Sequence, residues 1–196
     1  MTIMHNPTFT IYTGPMFGSK TSRLLMELDR YKYQKKVVAV FKPKIDDRFS
    51  VSDIVTHSGW KHSATCVSSG ADILQTIFEA PRTPDVIAVD EAFMIDGISE
   101  ALIFLYRSGF NIVVSTIDIA ANGKPFPEVV KLLPWATRIE KCTAVCTVCG
   151  GDAHFTHKKQ IGGDENCVEV GGEELYEPRC HSHHLAIDLR AKIHDV

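Results

Sequence analysis

Thr10-Ile11-Tyr12-Thr13-Gly14-Pro15-Met16-Phe17-Gly18-Ser19-Lys20-Thr21-Ser22-Arg23-Leu24-Leu25-Met26-Glu27-Leu28 is the stretch on which the reading of this chain turns. A β-branched and aromatic run feeds a glycine-containing turn, which opens into apolar residues at helical spacing. Strand, loop and helix in that order are the setting a phosphate-binding loop requires. The turn from Gly14 through Pro15, Met16, Phe17, Gly18 and Ser19 would aim its backbone N–H groups at an anion, with the helix N-terminus behind them. Lys20 would add a point charge, and the Thr21 hydroxyl would reach a magnesium ion. One position departs from the motif G-x-x-x-x-G-K-[ST]. The residue before the lysine is Ser19, and the glycine stands at 18.

Working outward, the chain alternates strand and helix signals. The first helix pattern runs to about Tyr33 and is followed by Val37-Val38-Ala39-Val40-Phe41, an apolar run of strand length. Lys42-Pro43-Lys44-Ile45-Asp46-Asp47-Arg48-Phe49 then mixes a proline with charges. By composition it reads as a solvated loop, and by position it puts Asp46 and Arg48 at the carboxyl end of a strand, where open α/β sheets hold ligands. Residues 51–67 alternate only weakly, with a turn at Thr56-His57-Ser58-Gly59. Helical spacing returns from Ala71 to Ala80 and is closed by Pro81 and Pro84.

Asp85-Val86-Ile87-Ala88-Val89-Asp90-Glu91 is an apolar strand ending in two carboxylates. This is the Walker B arrangement, in which one acid supports magnesium and the next serves as a base or positions a nucleophile. A strand ending in acids is common by itself, and gains weight from the phosphate loop upstream. A helix from about Ile98 to Ser108, a fourth apolar strand at Phe110–Ile117 running into Asp118, a short helix from Glu128 to Leu133 and a strand at Ala136–Glu140 complete the pattern. Such alternation implies right-handed crossovers and a parallel sheet covered on both faces.

The character changes at Cys142. Cys146-Thr147-Val148-Cys149-Gly150-Gly151 has the form of a zinc knuckle, with glycines that let backbone N–H groups turn toward the sulfurs. The return half is Cys180-His181-Ser182-His183-His184. Four ligands complete a tetrahedral site, and Cys146, Cys149, Cys180 and His183 supply them as C-x2-C and C-x2-H. His181 and His184 compete for the last place, but only His183 repeats the two-residue gap. A Cys3His set leaves no open position, so this zinc would be structural and would staple a long insertion that is poor in apolar residues. Cys66 and Cys167 have no partner at ligand spacing and read as small buried hydrophobes. The expected organisation is a P-loop α/β nucleotide-binding domain over residues 1–141 and a zinc-binding segment over 142–196.

Bulk properties set the outer limits. Hydrophobic residues make up 44% and charged residues 23%, enough for a packed core and too apolar for a disordered tail. A formal net charge of −3 offers no electrostatic case for nucleic acid or anionic membrane as the main partner. No apolar run approaches the ~20 residues of a membrane span, and the N-terminus lacks the form of a signal peptide, so a cytoplasmic location is expected.

Taken together and in order, these segments resemble the type II thymidine kinase family, cytosolic enzymes with a RecA-like α/β domain and a zinc-bearing lasso. The resemblance covers roughly residues 8–184. It rests on Gly14-Pro15-Met16-Phe17 with Lys20-Thr21, Lys42-Pro43-x-x-Asp46-x-Arg48, Thr56-His57-x-Gly59, Asp90-Glu91-Ala92, and Asp118 with Lys124-Pro125-Phe126. The later segments are Lys141-Cys142-Thr143-Ala144-Val145-Cys146-x-x-Cys149, Phe155-Thr156, Val170-x-Gly172 and Tyr176-x-x-x-Cys180-x-x-His183.

The resemblance implies transfer of the γ-phosphoryl of ATP to the 5′-hydroxyl of a pyrimidine deoxynucleoside with magnesium present. By that likeness Lys20 and the turn N–H groups hold the ATP phosphates, and Thr21 with Asp90 holds magnesium. Glu91 is the general base, and Asp46 and Arg48 face the transfer region. Met16 and Phe126 line the base pocket, over which Thr156, Val170, Gly172 and Tyr176 lie in the lasso. It also implies a homo-oligomer, usually a tetramer.

Three positions differ from the family pattern: Gly18-Ser19 for Ser-Gly, Phe93 for the usual glutamine, and Ala121 for the usual aromatic. A Cβ at position 19 would cost affinity if the backbone there needs positive φ. Phe93 filling the space left by Ala121 would suit a larger or modified pyrimidine. Two other readings stand beside this one: a kinase for another nucleoside or nucleotide, and a non-catalytic P-loop protein that binds nucleotide or nucleic acid and uses the zinc ribbon as an interaction module.

Overall fold

The computed structural model describes residues 6–46, 53–55, 59–159 and 170–184 of the 196-residue chain. The Thr56-His57-Ser58 turn, Cys167 and Arg48 lie outside these residues. The first strand, β1 (Phe9–Thr13), leads through the glycine loop into α1 (Lys20–Tyr33), and β2 (Val38–Pro43) follows. Two short strands, β3 (Asp53–Val55) and β4 (Lys61–Ser63), pair antiparallel with each other. Next come β5 (Thr65–Val67), α2 (Gly70–Glu79), β6 (Val86–Val89), α3 (Ile98–Arg107), β7 (Asn111–Thr116), α4 (Pro127–Leu132) and β8 (Arg138–Lys141). The region after Cys142 forms two small antiparallel pairs, β9 (Ala144–Val145) with β10 (Asp152–Ala153), and β11 (Phe155–Lys158) with β12 (Tyr176–Arg179).

The central sheet has six strands in the order β5-β2-β6-β7-β1-β8, and every neighbouring pair is parallel. Side-chain alternation along the strands divides the core in two. Phe9, Ile11, Ile87, Val89, Ile112 and Val114 point to the face packed by residues of α2, α3 and α4, including Ile73, Ile77, Leu102, Leu105 and Leu132. Tyr12, Val86, Ala88 and Val113 point to the other face, against Leu24, Leu25, Leu28 and Tyr31 of α1. These α1 positions are the apolar stripe of a helix with one buried face. Among the described residues no helix is long and apolar enough to cross a membrane.

The sheet register sets the level of the chemistry. Val89 pairs with Val114 and Thr13 with Thr116, so Asp90, Ser115 and the start of the glycine loop emerge together at the carboxyl ends of adjacent strands. Within residues 51–67, whose alternation is too weak to assign, the structure places β5 on the edge of the sheet beside β2. Three residues carry little periodicity, which is why the sequence signal there is poor.

Helix α2 opens with a capping box, in which the Ser69 hydroxyl accepts from the Asp72 N–H and the Asp72 carboxylate accepts from the Ser69 N–H. Its first residue, Gly70, donates to the Asp96 carbonyl at 2.8 Å. A Cβ on Gly70 would lie 2.4 Å from the Gly97 carbonyl oxygen and 2.8 Å from the Ala101 Cβ. This contact ties the segment after Glu91 to the start of α2. Gly70→Ala is therefore expected to destabilise the fold by about 1–3 kcal/mol, the range for overpacking a buried contact, read as a lower urea midpoint with an unchanged slope. A variant as stable as the wild type would show that the two backbones separate without cost.

Candidate active site and metal centre

Gly14 leaves β1 with φ 138°, and a Cβ there would sit 2.3 Å from the Cys142 carbonyl oxygen. Gly18 is less confined: a Cβ there would lie 3.1 Å from the Pro15 carbonyl oxygen and 3.5 Å from the Cys142 Cβ, a tight contact that a small shift of the neighbours would relieve. Gly14 is thus required by close approach to the chain as it leaves β8, while the left-handed non-glycine positions of the loop are Phe17 (φ 63°) and Ser19 (φ 59°). Ser19 caps α1 without a side-chain hydrogen bond. The transposed Gly18-Ser19 pair therefore keeps a glycine where a side chain would be tightly packed. It leaves a serine where the backbone is left-handed.

Lys20 is buried, and its ammonium donates to the Pro15 carbonyl at 2.6 Å. Burial lowers its pKa, opposed by the nearby charges of Glu91, Asp90 and Asp118. The Thr21 hydroxyl donates to the Asp90 carboxylate at 3.2 Å, and the Ser115 hydroxyl donates to the same carboxylate from β7. Desolvation, followed by the charge of Glu91, pushes the Asp90 carboxyl up to about 7, against the hydroxyl hydrogen bonds of Ser115 and Thr21. The charge of Asp46 also reaches Asp90, so the segment after β2 contributes to this end of the sheet. Asp46 is itself buried. Thr21 and Asp90 offer hard oxygen donors side by side, the donor type that magnesium takes.

Glu91 occupies the left-handed region, with φ 48°. Four non-glycine residues do so among the described residues: Phe17, Ser19, Lys35 and Glu91. Lys35 follows the end of α1, where such a conformation commonly terminates a helix. The other three lie in the phosphate loop or at the end of β6, where strain of this kind accompanies a site that must hold an unusual geometry. After Glu91 the chain makes a 3-10 turn at Ala92–Met94, which brings the Phe93 ring to 4.6 Å from that of Phe126, tilted by 44°. The ring partner of Phe93 is thus Phe126, itself an expected pocket residue. Phe126 is held in place by its N–H, which donates to the Asp118 carbonyl at 3.0 Å.

On the opposite side, register pairs Thr156 with Pro178 and Lys158 with Tyr176, so Thr156 and Tyr176 project from the same face of the β11–β12 pair. Thr156 is buried, and its hydroxyl accepts from the Met16 N–H at 3.0 Å. The structure therefore joins Met16 and Thr156 directly. Gly172 lies in the turn before β12 and its carbonyl accepts from Leu175 and Tyr176. Val170 is half-buried at the start of that segment.

Cys146, Cys149, Cys180 and His183 bring their ligand atoms within 4.8 Å of one another. His183 Nδ1 lies 3.1 Å from the Cys180 Sγ and 3.7 Å from the Cys146 Sγ, and the sulfurs of Cys149 and Cys180 are 3.8 Å apart. Ligands about 2.3 Å from a tetrahedral centre stand about 3.8 Å from each other, so the donor set fits zinc. Burial raises the Cys146 thiol, but backbone N–H groups of Cys180, Val148 and Cys149 outweigh it and bring the group down to about 6. Gly150 takes φ 73° in the knuckle. His181 is exposed, while His184 is buried with its ring stacked on Phe155 at 4.7 Å and its Nε2 donating to the Thr156 carbonyl at 3.3 Å.

A phosphate loop at the end of β1, paired acids at the end of β6 and an all-parallel sheet between helical layers define a P-loop α/β protein. The family model described as thymidine kinase matches residues 7–184, and the chain belongs to that family. It is accordingly a nucleoside kinase in general type, with a Cys3His cluster that fits a zinc site.

The sequence reading did not single out Ser115 or His184 for these contacts. A hydroxyl pair, Ser115-Thr116, closing an otherwise apolar strand was the available signal for the first. Ser19 offers a direct test of the loop. A left-handed L-residue costs roughly 1–2 kcal/mol, and a new glycine gives back about 0.4–1 kcal/mol through unfolded-chain entropy. Ser19→Gly is expected to raise stability by up to about 1 kcal/mol in chemical denaturation, and Ser19→Val to lower it. A Ser19→Gly protein weaker than the wild type would remove the strain argument.

Proposed function

We propose that the chain catalyses ATP- and magnesium-dependent phosphorylation of the 5′-hydroxyl of a pyrimidine deoxynucleoside. The observation that carries this reading is the meeting, at one end of the sheet, of Lys20 and Thr21 from the glycine loop with Asp90 and Glu91 from β6. Lys20 and the N–H groups of the loop bind the ATP phosphates. Thr21 and Asp90 hold magnesium, with Ser115 fixing the Asp90 carboxylate. When bound, that ion neutralises charge on the phosphate oxygens.

Because the phosphoryl transition state is loose, most of the work is positioning. The nucleoside 5′-oxygen attacks the γ-phosphorus, the bond to the β,γ-bridging oxygen breaks, and ADP leaves. Glu91, turned out of the strand by its left-handed backbone, accepts the 5′-hydroxyl proton. Arg48 keeps its place in this reading through the family pattern alone. The base lies between the Met16–Thr156 contact and Phe126, with Val170, Gly172 and Tyr176 from the lasso. Packing of Phe93 on Phe126 makes that wall more aromatic than the usual glutamine would, and the preferred nucleoside is a deoxyuridine whose 5-substituent is larger than the methyl group of thymidine.

The test is a panel of deoxynucleosides with ATP and magnesium, run on the wild type and on Glu91→Gln. The substitution should lower kcat by about two or more orders of magnitude, the loss expected for a general base, while ATP still binds. Equal rates in the two proteins would overturn the role of Glu91. A wild type that prefers thymidine to every deoxyuridine with a larger 5-substituent would overturn the reading of Phe93.

A further inference from the structure

We propose that Phe17 is a positioning residue that locks the phosphate loop to the zinc lobe, so that affinity for MgATP depends on the lobe being metal-bound. The inference rests on the kinase reading above and adds a coupling between two parts of the chain that the reading leaves separate.

The backbone of Phe17 is left-handed, at φ 63°. Its side chain is half-buried and packs against the small apolar cluster of Ala144, Cys146 and Ala153. Cys146 is both a wall of that cluster and one of the four clustered ligands. The neighbouring residue, Met16, donates its N–H to the buried Thr156 hydroxyl at 3.0 Å, and the Thr156 carbonyl is held in turn by His184, the residue after the ligand His183. The tip of the loop is therefore tied to the lobe at two consecutive residues, once by a side chain and once by the backbone. Both ties end on segments that the metal ligands organise.

Magnitudes support a functional role for the aromatic ring. Holding an L-residue in the left-handed region costs roughly 1–2 kcal/mol. Burying about half of a phenylalanine side chain returns a similar amount, since full burial is worth about 1.5–3 kcal/mol. Without the ring, the Phe17 backbone is free to relax toward right-handed conformations, which alters the path of a loop whose Met16 and Gly18 N–H groups are held by the Thr156 hydroxyl and the Pro15 carbonyl. Loss of the cluster by removal of the metal has the same effect from the other side.

The experiment measures the Kd for MgATP by calorimetry, and zinc per chain by elemental analysis, in zinc-loaded wild type, Phe17→Ala and Phe17→Leu. Phe17→Ala should retain one zinc per chain and bind MgATP about tenfold more weakly, a change of about 1.4 kcal/mol. Phe17→Leu, which still fills the cluster, should bind within about threefold of the wild type. Stripping zinc with a chelator should weaken wild-type binding by about the Phe17→Ala factor and add little to Phe17→Ala itself, because two changes that break one coupling are not additive. The proposal is overturned if Phe17→Ala binds MgATP like the wild type, if it loses its zinc, or if stripping weakens both proteins equally. Wild-type protein that binds no MgATP would overturn the kinase reading and this proposal together, which separates the two failures.

Discussion

The contact between Gly14 and the Cys142 carbonyl is the constraint from which the rest of the site follows. β8 lies parallel to β1, and the Cys142 N–H continues that pairing by donating to the Thr13 carbonyl at 2.6 Å. The loop after β1 and the chain after β8 must therefore leave the sheet side by side. Only a residue without Cβ fits at that exit, because a methyl group would lie 2.3 Å from the carbonyl oxygen. The phosphate loop is consequently moulded on one side by backbone that leads directly into the Cys3His lobe. A fold made this way cannot place the Cys3His lobe independently of the phosphate loop.

Electrostatics act within that frame. One buried lysine faces two adjacent carboxylates, and charge repulsion between the carboxylates adds to the cost of their burial. Two hydroxyls from different elements offset part of that cost at Asp90. The Ser115 contribution depends on register: with Val89 opposite Val114, the residue after each is level with the other. A shift of one residue would turn Ser115 to the other face of the sheet and leave the carboxylate with one hydroxyl fewer. Sheet register and the hydrogen bonding of the Asp90 carboxylate are in this sense one problem.

Much of this was legible before any coordinates. Apolar runs at Val37–Phe41, Asp85–Val89 and Phe110–Ile117 became the parallel strands they resemble, because strands buried on both faces are read directly as hydrophobic runs. The Cys3His cluster was legible from spacing, and the structure sets His183 in it while its neighbours make other contacts: His184 is stacked on Phe155 and His181 is exposed. Less legible were contacts between residues far apart in the chain. Met16 to Thr156 spans 140 positions, and Ser115 to Asp90 requires knowing which strands are neighbours. Strand order β5-β2-β6-β7-β1-β8 is a tertiary fact that periodicity within a segment cannot express.

The glycine loop shows where a motif and the physics behind it part company. The motif asks for glycine immediately before lysine, and this chain has serine there in the left-handed conformation that makes glycine useful. The glycine at 18 sits in close packing on Pro15 and Cys142, which a Cβ there would tighten. Exchanging the pair would relieve backbone strain at 19 and crowd the backbone at 18. A left-handed serine costs roughly 1–2 kcal/mol, whereas a side chain forced into closely packed backbone typically costs 1–3 kcal/mol and distorts the surface that meets phosphate. The order Gly18-Ser19 thus keeps the looser packing at 18 while placing a left-handed serine at 19, so the departure from the motif exchanges one local constraint for another.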